Sequence, residues 1–186
     1  EVYLARISPL RSGLYIQVQD RLQQTLWLKK TGYSEHDWLT LFIDKSATWV
    51  NLTEDLRQLN DERILFSTEA DGCRKAFILD SQGNTTPLTG PQHINQVLGV
   101  NDTHAFVCGW DQRPIENHLF SVPLNGDNCH QITQESGWHE TVLNINKSLY
   151  LDRFSDEYHP LKIGLMSLEN SQASTCIFSE QIDNDH

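Results

Sequence analysis

The chain has 186 residues, of which 38% are hydrophobic and 21% charged, and its formal net charge is −11 at pH 7. Acidic residues are spread along it and the densest basic runs are only Lys29-Lys30 and Arg74-Lys75, which disfavours nucleic-acid binding because phosphates require a basic surface. No apolar run approaches the roughly 20 residues that span a bilayer, so the composition predicts a globular protein with a sizeable core and no membrane segment.

The first part of the chain reads as a series of short β-strands. Apolar or alternating runs are separated by turn residues, and Asp71-Gly72 is typical of a hairpin because both of its positions tolerate positive φ. Only Leu52–Leu59 predicts a short helix, with Thr53 as its N-cap. The predicted strands are Val2–Ile7, Leu14–Val18, Thr25–Leu28, Leu39–Ile43, Ile64–Ser67 and Ala76–Leu79.

A pattern of three apolar runs recurs with a period of about 43 residues, which is typical of repeated β-sheets. The successive copies are Ile64–Ser67, Ala76–Asp80 and Pro87–Thr89, then Ala105–Cys108, His118–Val122 and Gln131–Thr133, then Ser148–Leu151, Lys162–Leu165 and Thr175–Ile177. Units of this length with several strands each predict an all-β partial β-propeller of about four blades, each a small antiparallel sheet. We expect one propeller fragment over residues 1–186, with units of roughly 1–50, 51–92, 93–135 and 136–180. A β-sandwich is the rival fold, but it gives no reason for the period.

Motifs that would carry catalysis or bind a metal are weak. Residues 32–36 read Gly-Tyr-Ser-Glu-His and lack the second glycine of a serine-hydrolase elbow, so a polar loop is predicted there. The tripeptide Trp138-His139-Glu140 has the residue types for acid–base or metal chemistry with remote partners, but it is predicted to be a strand end. None of the eight histidines has a second histidine at the spacing of a helical metal site. We expect no catalytic residue, no metal site and no cofactor in this chain.

Three carboxylate doublets, Glu54-Asp55, Asp61-Glu62 and Asp156-Glu157, were considered as a glycosidase pair. Adjacent strand residues point to opposite faces, so the doublets are predicted to be solvated loop charges. The cysteines are Cys73, Cys108, Cys129 and Cys176, without a Cys-x-x-Cys pair. Buried free thiols are predicted, although three disulfide connectivities remain formally open.

An ordered set of motifs carries a family resemblance. The set comprises Trp49–Leu52, Phe66–Arg74, Pro87–Gly90, Pro114–Val122, Gly137–His139 and Tyr150–Ser155 followed by Pro160. From about Trp49 to Pro160 the chain resembles the N-terminal β-propeller of dipeptidyl peptidase IV-like serine peptidases, in the prolyl oligopeptidase family. It departs from the family at Cys73, where an aromatic is frequent, and at 91–93, where a Trp-Glu-Val-like stretch is usual.

The resemblance implies a non-catalytic role. In the family an α/β-hydrolase domain with the Ser–Asp–His triad follows the propeller, and we expect that domain to be absent here. The glutamates that bind the substrate's amino terminus lie upstream of the matched segment, so no catalytic or substrate-binding position can be carried over. The implied role is to wall the active-site cavity, restrict entry to short peptides and support dimerisation, with short peptides as substrates of the absent domain.

Two other function classes stay open. One is a propeller scaffold that binds a protein partner, and the other is part of a propeller glycosidase. The chain starts at Glu1 and its only methionine is Met166, so we expect it to begin inside a longer protein or after processing. The compartment is undetermined, with the bacterial periplasm or cytoplasm as the working assumption.

Overall fold

A computed structural model describes residues 2–32, 37–70, 72–169 and 174–180. Within these ranges the chain forms four antiparallel sheets of four strands each, in which the strands pair in chain order. The chain divides into two compact units, Glu1–Leu88 and Thr89–His186. In the described part of the chain no helix is long and apolar enough to cross a membrane.

The first unit holds sheets I and II. Sheet I contains β1 (Val2–Leu10), β2 (Gly13–Asp20), β3 (Thr25–Thr31) and β4 (Trp38–Lys45). Sheet II contains β5 (Arg57–Gln58), β6 (Ile64–Thr68), β7 (Lys75–Leu79) and β8 (Thr85–Pro87). Buried Tyr15, Leu28 and Leu41 of sheet I pack with Phe66 and Leu79 of sheet II, which gives this unit its core.

The second unit holds sheets III and IV. Sheet III contains β9 (His93–Val100), β10 (His104–Trp110), β11 (His118–Pro123) and β12 (His130–Gln131). Sheet IV contains β13 (Trp138–Asn144), a 3₁₀ turn (Ile145–Lys147), β14 (Leu149–Ser155), β15 (Lys162–Ser167) and β16 (Ser174–Ser179). The core cluster of the second unit combines Phe106, Leu119 and Ile132 of sheet III with Tyr150 of sheet IV.

The all-β class and the six strands predicted in the first part of the chain are confirmed. The three runs of the repeat form or overlap the second, third and fourth strands of sheets II, III and IV. The sequence does not predict the first strands of sheets II and III, β5 and β9, whereas the strand end predicted at Trp138-His139-Glu140 is the start of β13. For β9 the reason is physical: its pairing with β10 is interrupted by two register shifts, so its burial does not alternate as in a regular strand.

The predicted helix at Leu52–Leu59 is wrong, because side chains compete for the carbonyls that a helix would use. Gln17 Nε2 donates to the carbonyl of Thr53 at 3.2 Å, and Arg57 Nη1 donates to the carbonyl of Glu54 at 2.6 Å. Leu56 is buried in the core of the first unit. These contacts therefore hold the segment in an irregular, non-helical path that ends in β5.

The turn between β7 and β8 requires glycine. Gly83 has φ +88°, and a Cβ at this position would lie 3.2 Å from the carbonyl oxygen of Leu41. Asp80 organises the turn, because its Oδ1 accepts from the backbone N–H of Gln82 at 2.8 Å and of Asn84 at 2.9 Å. The glycine in the turn sequence Gln82-Gly83-Asn84 therefore meets a conformational requirement of the backbone.

We expect Gly83→Ala to lower the free energy of unfolding by about 2 kcal/mol, from left-handed strain and the contact with Leu41. Gly72→Ala is the matched control, since Gly72 has φ +91° and an added Cβ meets nothing within 4 Å. This control should cost only about 1 kcal/mol. Urea unfolding of both variants measures the difference, and equal costs would show that the Leu41 contact is unimportant.

Candidate functional site

A network of buried polar side chains joins sheets III and IV within the second unit. Glu116 and Asn117 directly precede β11, His118 is its first residue, His139 lies on β13 and Asp152 on β14. His118 is 4% exposed, His139 3% and Asp152 8%. Buried polar groups of this kind must find hydrogen-bond partners within the protein, so their contacts reveal what the network does.

His118 lies between a carboxylate and a hydroxyl. Its Nε2 is 3.1 Å from Glu116 Oε2, and its Nδ1 is 3.1 Å from Thr133 Oγ1. Arg113 Nη1 is 2.6 Å from the other oxygen of Glu116. Burial of Glu116 raises its pKa, but the His118 hydrogen bond and the Arg113 charge outweigh burial and hold the pKa of Glu116 below its usual value.

His139 faces an acceptor on each side of its ring. Its Nδ1 is 2.8 Å from Asp152 Oδ2, and its Nε2 is 2.8 Å from the backbone carbonyl oxygen of Glu135. Only the doubly protonated imidazolium donates to both acceptors. Burial lowers the pKa of His139, but the hydrogen bond and negative charge of Asp152, with the Glu135 carbonyl, outweigh burial and raise that pKa above its usual value.

Direct contacts link the two histidines across the sheets. Their ring centroids are 5.2 Å apart, and the His139 ring lies 4.8 Å from that of Phe154. Asn117 Nδ2 donates to the carbonyl of His139 at 2.5 Å, and the backbone N–H of His139 donates to the carbonyl of Asn117 at 2.9 Å. The network therefore acts as a polar joint between sheet III and sheet IV.

The raised pKa of His139 predicts that stability falls as pH rises. A histidine whose pKa is higher in the folded than in the unfolded state stabilises the fold fully at pH values below its unfolded-state pKa, near 6.5. This stabilisation is lost as the pH rises through the pKa of the folded state. The ionisable neighbours facing His139 are Asp152, Glu135 and His118, with Glu116 beyond them.

Thermal unfolding at pH 6 and pH 8.5 checks this expectation. The native chain should lose more stability across this interval than His139→Gln, which cannot carry the charge. His130→Gln is the control, because His130 is an exposed residue on β12, and its loss should leave the pH dependence unchanged. Identical pH dependence in the native chain and His139→Gln would contradict the assignment.

A cavity of about 150 Å³ lies beside the network in the second unit. Its polar wall includes Thr133, His139, Tyr150 and Asp152, and Phe154 lies on its apolar side. Burial, and next the negative charge of Asp152, raise the pKa of Tyr150 to about 12, so this phenol stays protonated. No grouping of three or more His, Cys, Asp or Glu able to hold a metal ion occurs among the described residues, and the absence of a metal site stays a prediction.

Comparison with known proteins identifies the family of this fold. The model of the dipeptidyl peptidase IV (DPP IV) N-terminal region matches residues 1–161. The chain belongs to this family. The match begins at residue 1, so it is wider than the resemblance that starts near Trp49.

Two solved structures are similar to this DPP IV N-terminal segment. A dipeptidyl peptidase 4 from Porphyromonas gingivalis has TM-score 0.81 and 14% identity, over 97% of this chain and 26% of that one. A putative dipeptidyl aminopeptidase IV from Bacteroides ovatus ATCC 8483 has TM-score 0.81 and 15% identity, over 99% of this chain and 30% of that one. The partial β-propeller fold is thus confirmed, and the segment spans less than a third of the length of either structure.

The sequence motifs with residue types suited to catalysis or metal binding lie at different places in the chain. Of the loop at 32–36, residues 33–36 lie outside the described part. Trp138 begins β13 and is 43% exposed, His139 is buried in the joint, and Glu140 pairs with Arg153. The local sequence points to His139 but not to its partner Asp152, because thirteen residues separate the two along the chain.

The carboxylate doublets make structural contacts. Asp61 pairs with Arg63 at 2.7 Å, and Asp156 accepts from the backbone N–H of Tyr158 at 2.8 Å within an exposed turn. The prediction of a solvated charge is wrong for Asp55, which is 2% exposed. Its Oδ2 accepts from Ser67 Oγ at 2.5 Å, because the segment predicted to be a helix instead packs against β6.

None of the four cysteines, all of which lie in the described part of the chain, forms a disulfide, and their burial differs. Cys108 is buried with its Sγ 3.1 Å from Thr141 Oγ1, and burial raises the pKa of its thiol. The prediction of a buried thiol is confirmed for Cys108. It is wrong for Cys176, which is exposed on the edge strand β16.

Proposed function

We propose that this chain is the non-catalytic propeller segment of a dipeptidyl peptidase IV-like serine exopeptidase, with each of its four sheets as one blade. In the whole protein the segment would wall the active-site cavity, limit entry to short peptides and support dimerisation. The observation that carries the proposal is the family match over residues 1–161. Peptide hydrolysis would be carried out by an α/β-hydrolase domain outside this chain. Short peptides would be the substrates of that domain.

The contacts of the polar joint support a structural role for this part of the segment. His118 and His139 have each ring nitrogen within 3.1 Å of a protein oxygen atom. A catalytic base needs a face open to substrate, whereas these rings are almost fully buried. Such fully engaged side chains hold neighbouring sheets in a fixed arrangement, which a cavity wall requires.

Exposed apolar side chains on edge strands support the oligomeric part of the proposal. In the first unit, Val2 and Ile7 of β1 are 60% and 54% exposed. In the second unit, Ile177 and Phe178 of β16 are 58% and 48% exposed. Apolar residues on sheet edges favour packing against further protein.

Hydrolysis of an Xaa-Pro chromogenic substrate tests the assignment. The isolated chain should release no chromophore, and the longer protein encoded by the same reading frame should release it. Release by the isolated chain, or none by a folded longer protein, would reject the proposal. Thermal unfolding of both samples ensures that inactivity is not a consequence of misfolding.

Substrate length tests the gating role in the longer protein. A series of Xaa-Pro peptides of increasing length should show a steep fall in kcat/KM once the peptide no longer passes the propeller. A length-independent kcat/KM would remove gating from the proposal and leave the family role intact. An unstructured substrate series is needed, because folding of the peptide would mimic exclusion.

Light scattering of the longer protein tests dimerisation. Replacing both Ile177 and Phe178 by Asp should shift the mass towards the monomer, because each charge would be buried against a partner. Tyr158→Asp is the control in the same unit, since Tyr158 is 78% exposed and lies in a turn outside the edge strands. A native protein that is monomeric at every concentration would contradict this part of the proposal.

A further inference from the structure

The cavity of the second unit has the size of a small-molecule site. Its volume is about 150 Å³, and an engineered cavity of similar volume in another protein admits benzene. Ile132, Phe154 and Met166 line its apolar side. A compact molecule of about six non-hydrogen atoms therefore fits without displacing the surrounding strands.

One buried carboxylate oxygen and one phenol hydroxyl at the cavity wall lack hydrogen-bond partners among the described residues. Asp152 Oδ1 makes no hydrogen bond within the described part of the chain, while Asp152 Oδ2 is occupied by His139. Tyr150 is 1% exposed, and its hydroxyl likewise makes no hydrogen bond with a described residue. An unpaired buried polar group destabilises the protein, so a molecule that donates a hydrogen bond to Asp152 Oδ1 removes that penalty on binding.

The unpaired oxygen of Asp152 gives the cavity wall an anionic acceptor for a cation. Asp152 and Glu135 contribute carboxylates to the lining, and Lys162 and the protonated His139 contribute positive charges, of which His139 is already held by Asp152 Oδ2. Asp152 Oδ1 is therefore the lining atom with which a bound cation would pair. A primary ammonium group has three N–H donors, which match a carboxylate oxygen and a phenol oxygen. The rings of Tyr150 and Phe154 add the aromatic faces that attract cations.

We propose that this cavity binds a compact primary alkylammonium ion. The ammonium group pairs with Asp152 and the Tyr150 hydroxyl, and the alkyl group packs against Ile132, Phe154 and Met166. The proposal rests on the cavity and its unpaired groups, and it stands independently of the peptidase assignment.

A titration of the isotopically labelled chain with three matched probes tests the charge preference by NMR. Isobutylammonium, isobutanol and isobutyrate have the same branched carbon skeleton and differ in the charge of the polar group. Isobutylammonium should give saturating shifts of the backbone amides of residues 132–135 and 150–154. Isobutanol should bind about tenfold more weakly, as expected for the loss of a hydrogen bond between charged groups, and isobutyrate should not bind.

Three variants test the residues that are assigned to the ammonium ion. Asp152→Asn should weaken isobutylammonium about tenfold, since the amide keeps an acceptor for His139 and removes the charge. Tyr150→Phe should weaken it about threefold through loss of one neutral hydrogen bond. Lys162→Gln should instead strengthen binding, because it removes the competing cation.

Lys162→Gln is expected to increase the affinity for isobutylammonium, whereas the other two variants should decrease it. A general destabilisation of the fold would not increase the affinity, so this variant separates the two explanations. Thermal unfolding of each variant identifies those that fold, and Tyr150→Phe and Lys162→Gln remain decisive if Asp152→Asn does not fold. Equal affinity for isobutylammonium and isobutanol would overturn the proposal, as would absence of saturating shifts or an unchanged affinity in a folded Asp152→Asn variant. Each of these three outcomes would mean that the cavity holds only water or neutral molecules.

Discussion

Replacing Leu119 by Ala should lower the free energy of unfolding of the second unit by about 3–4 kcal/mol. Leu119 is 0% exposed on β11, and it belongs to the core cluster with Phe106, Ile132 and Tyr150. The substitution removes buried apolar area and leaves a cavity where residues of sheets III and IV meet. Closely packed strands relax only partly, so the cavity term adds to the transfer term.

Urea unfolding of the chain measures this loss, with Val142→Ala as the matched control. Val142 lies in sheet IV of the same unit but is 67% exposed, so its truncation should change stability by less than about 0.5 kcal/mol. A cost for Leu119→Ala below about 1 kcal/mol would contradict the packing of this core.

Asn117→Ala should cost about 3 kcal/mol, because the side chain is the hydrogen-bonding centre of the polar joint. Asn117 is 5% exposed, and its Nδ2 donates to the carbonyl of His139 while its Oδ1 accepts from Asn95. Alanine would leave the buried His139 carbonyl without that donor, at a cost of about 1–3 kcal/mol, and would also create a void.

Asn95→Ala is the control for Asn117→Ala, since it removes the donor to Asn117 Oδ1 and leaves the bond from Asn117 to the His139 carbonyl. It should cost about 0.5–1 kcal/mol, measured by the same unfolding experiment. A double-mutant cycle then isolates the contribution of the Asn95–Asn117 contact. If Asn117→Ala costs no more than Asn95→Ala, the bond to the His139 carbonyl does not hold the sheets together.

Strands and turns were largely readable from local sequence, because their determinants lie within a few residues. The run at Ile64–Thr68 is buried throughout, and the turn at Asp80–Asn84 has its glycine where φ is positive. The order of the motifs from Trp49 to Pro160 was sufficient to indicate the family. In these segments propensity, pattern and turn chemistry agree, which makes local prediction reliable.

The segment 52–59 shows where local prediction fails. Its acidic first turn suits a helix, but Gln17 and Arg57 take its carbonyls and Leu56 enters the core. Strand β9 was missed because register shifts against β10 break its alternation. The contacts of this segment with Gln17 and the core, and the pairing of β9 with β10, involve partners elsewhere in the chain, about which a local pattern holds no information.

The candidate site depended even more on tertiary structure. The sequence alone determined that the protein is built from repeated β-units of a peptidase-type propeller and that its motifs for catalysis are incomplete. Only the packing of sheets III and IV brought His118 to His139, buried Asp152 beside Tyr150 and formed a cavity next to them. The physical reason is that strand spacing and turns are encoded locally, whereas a side chain's neighbours across two sheets depend on register and on how the sheets pack.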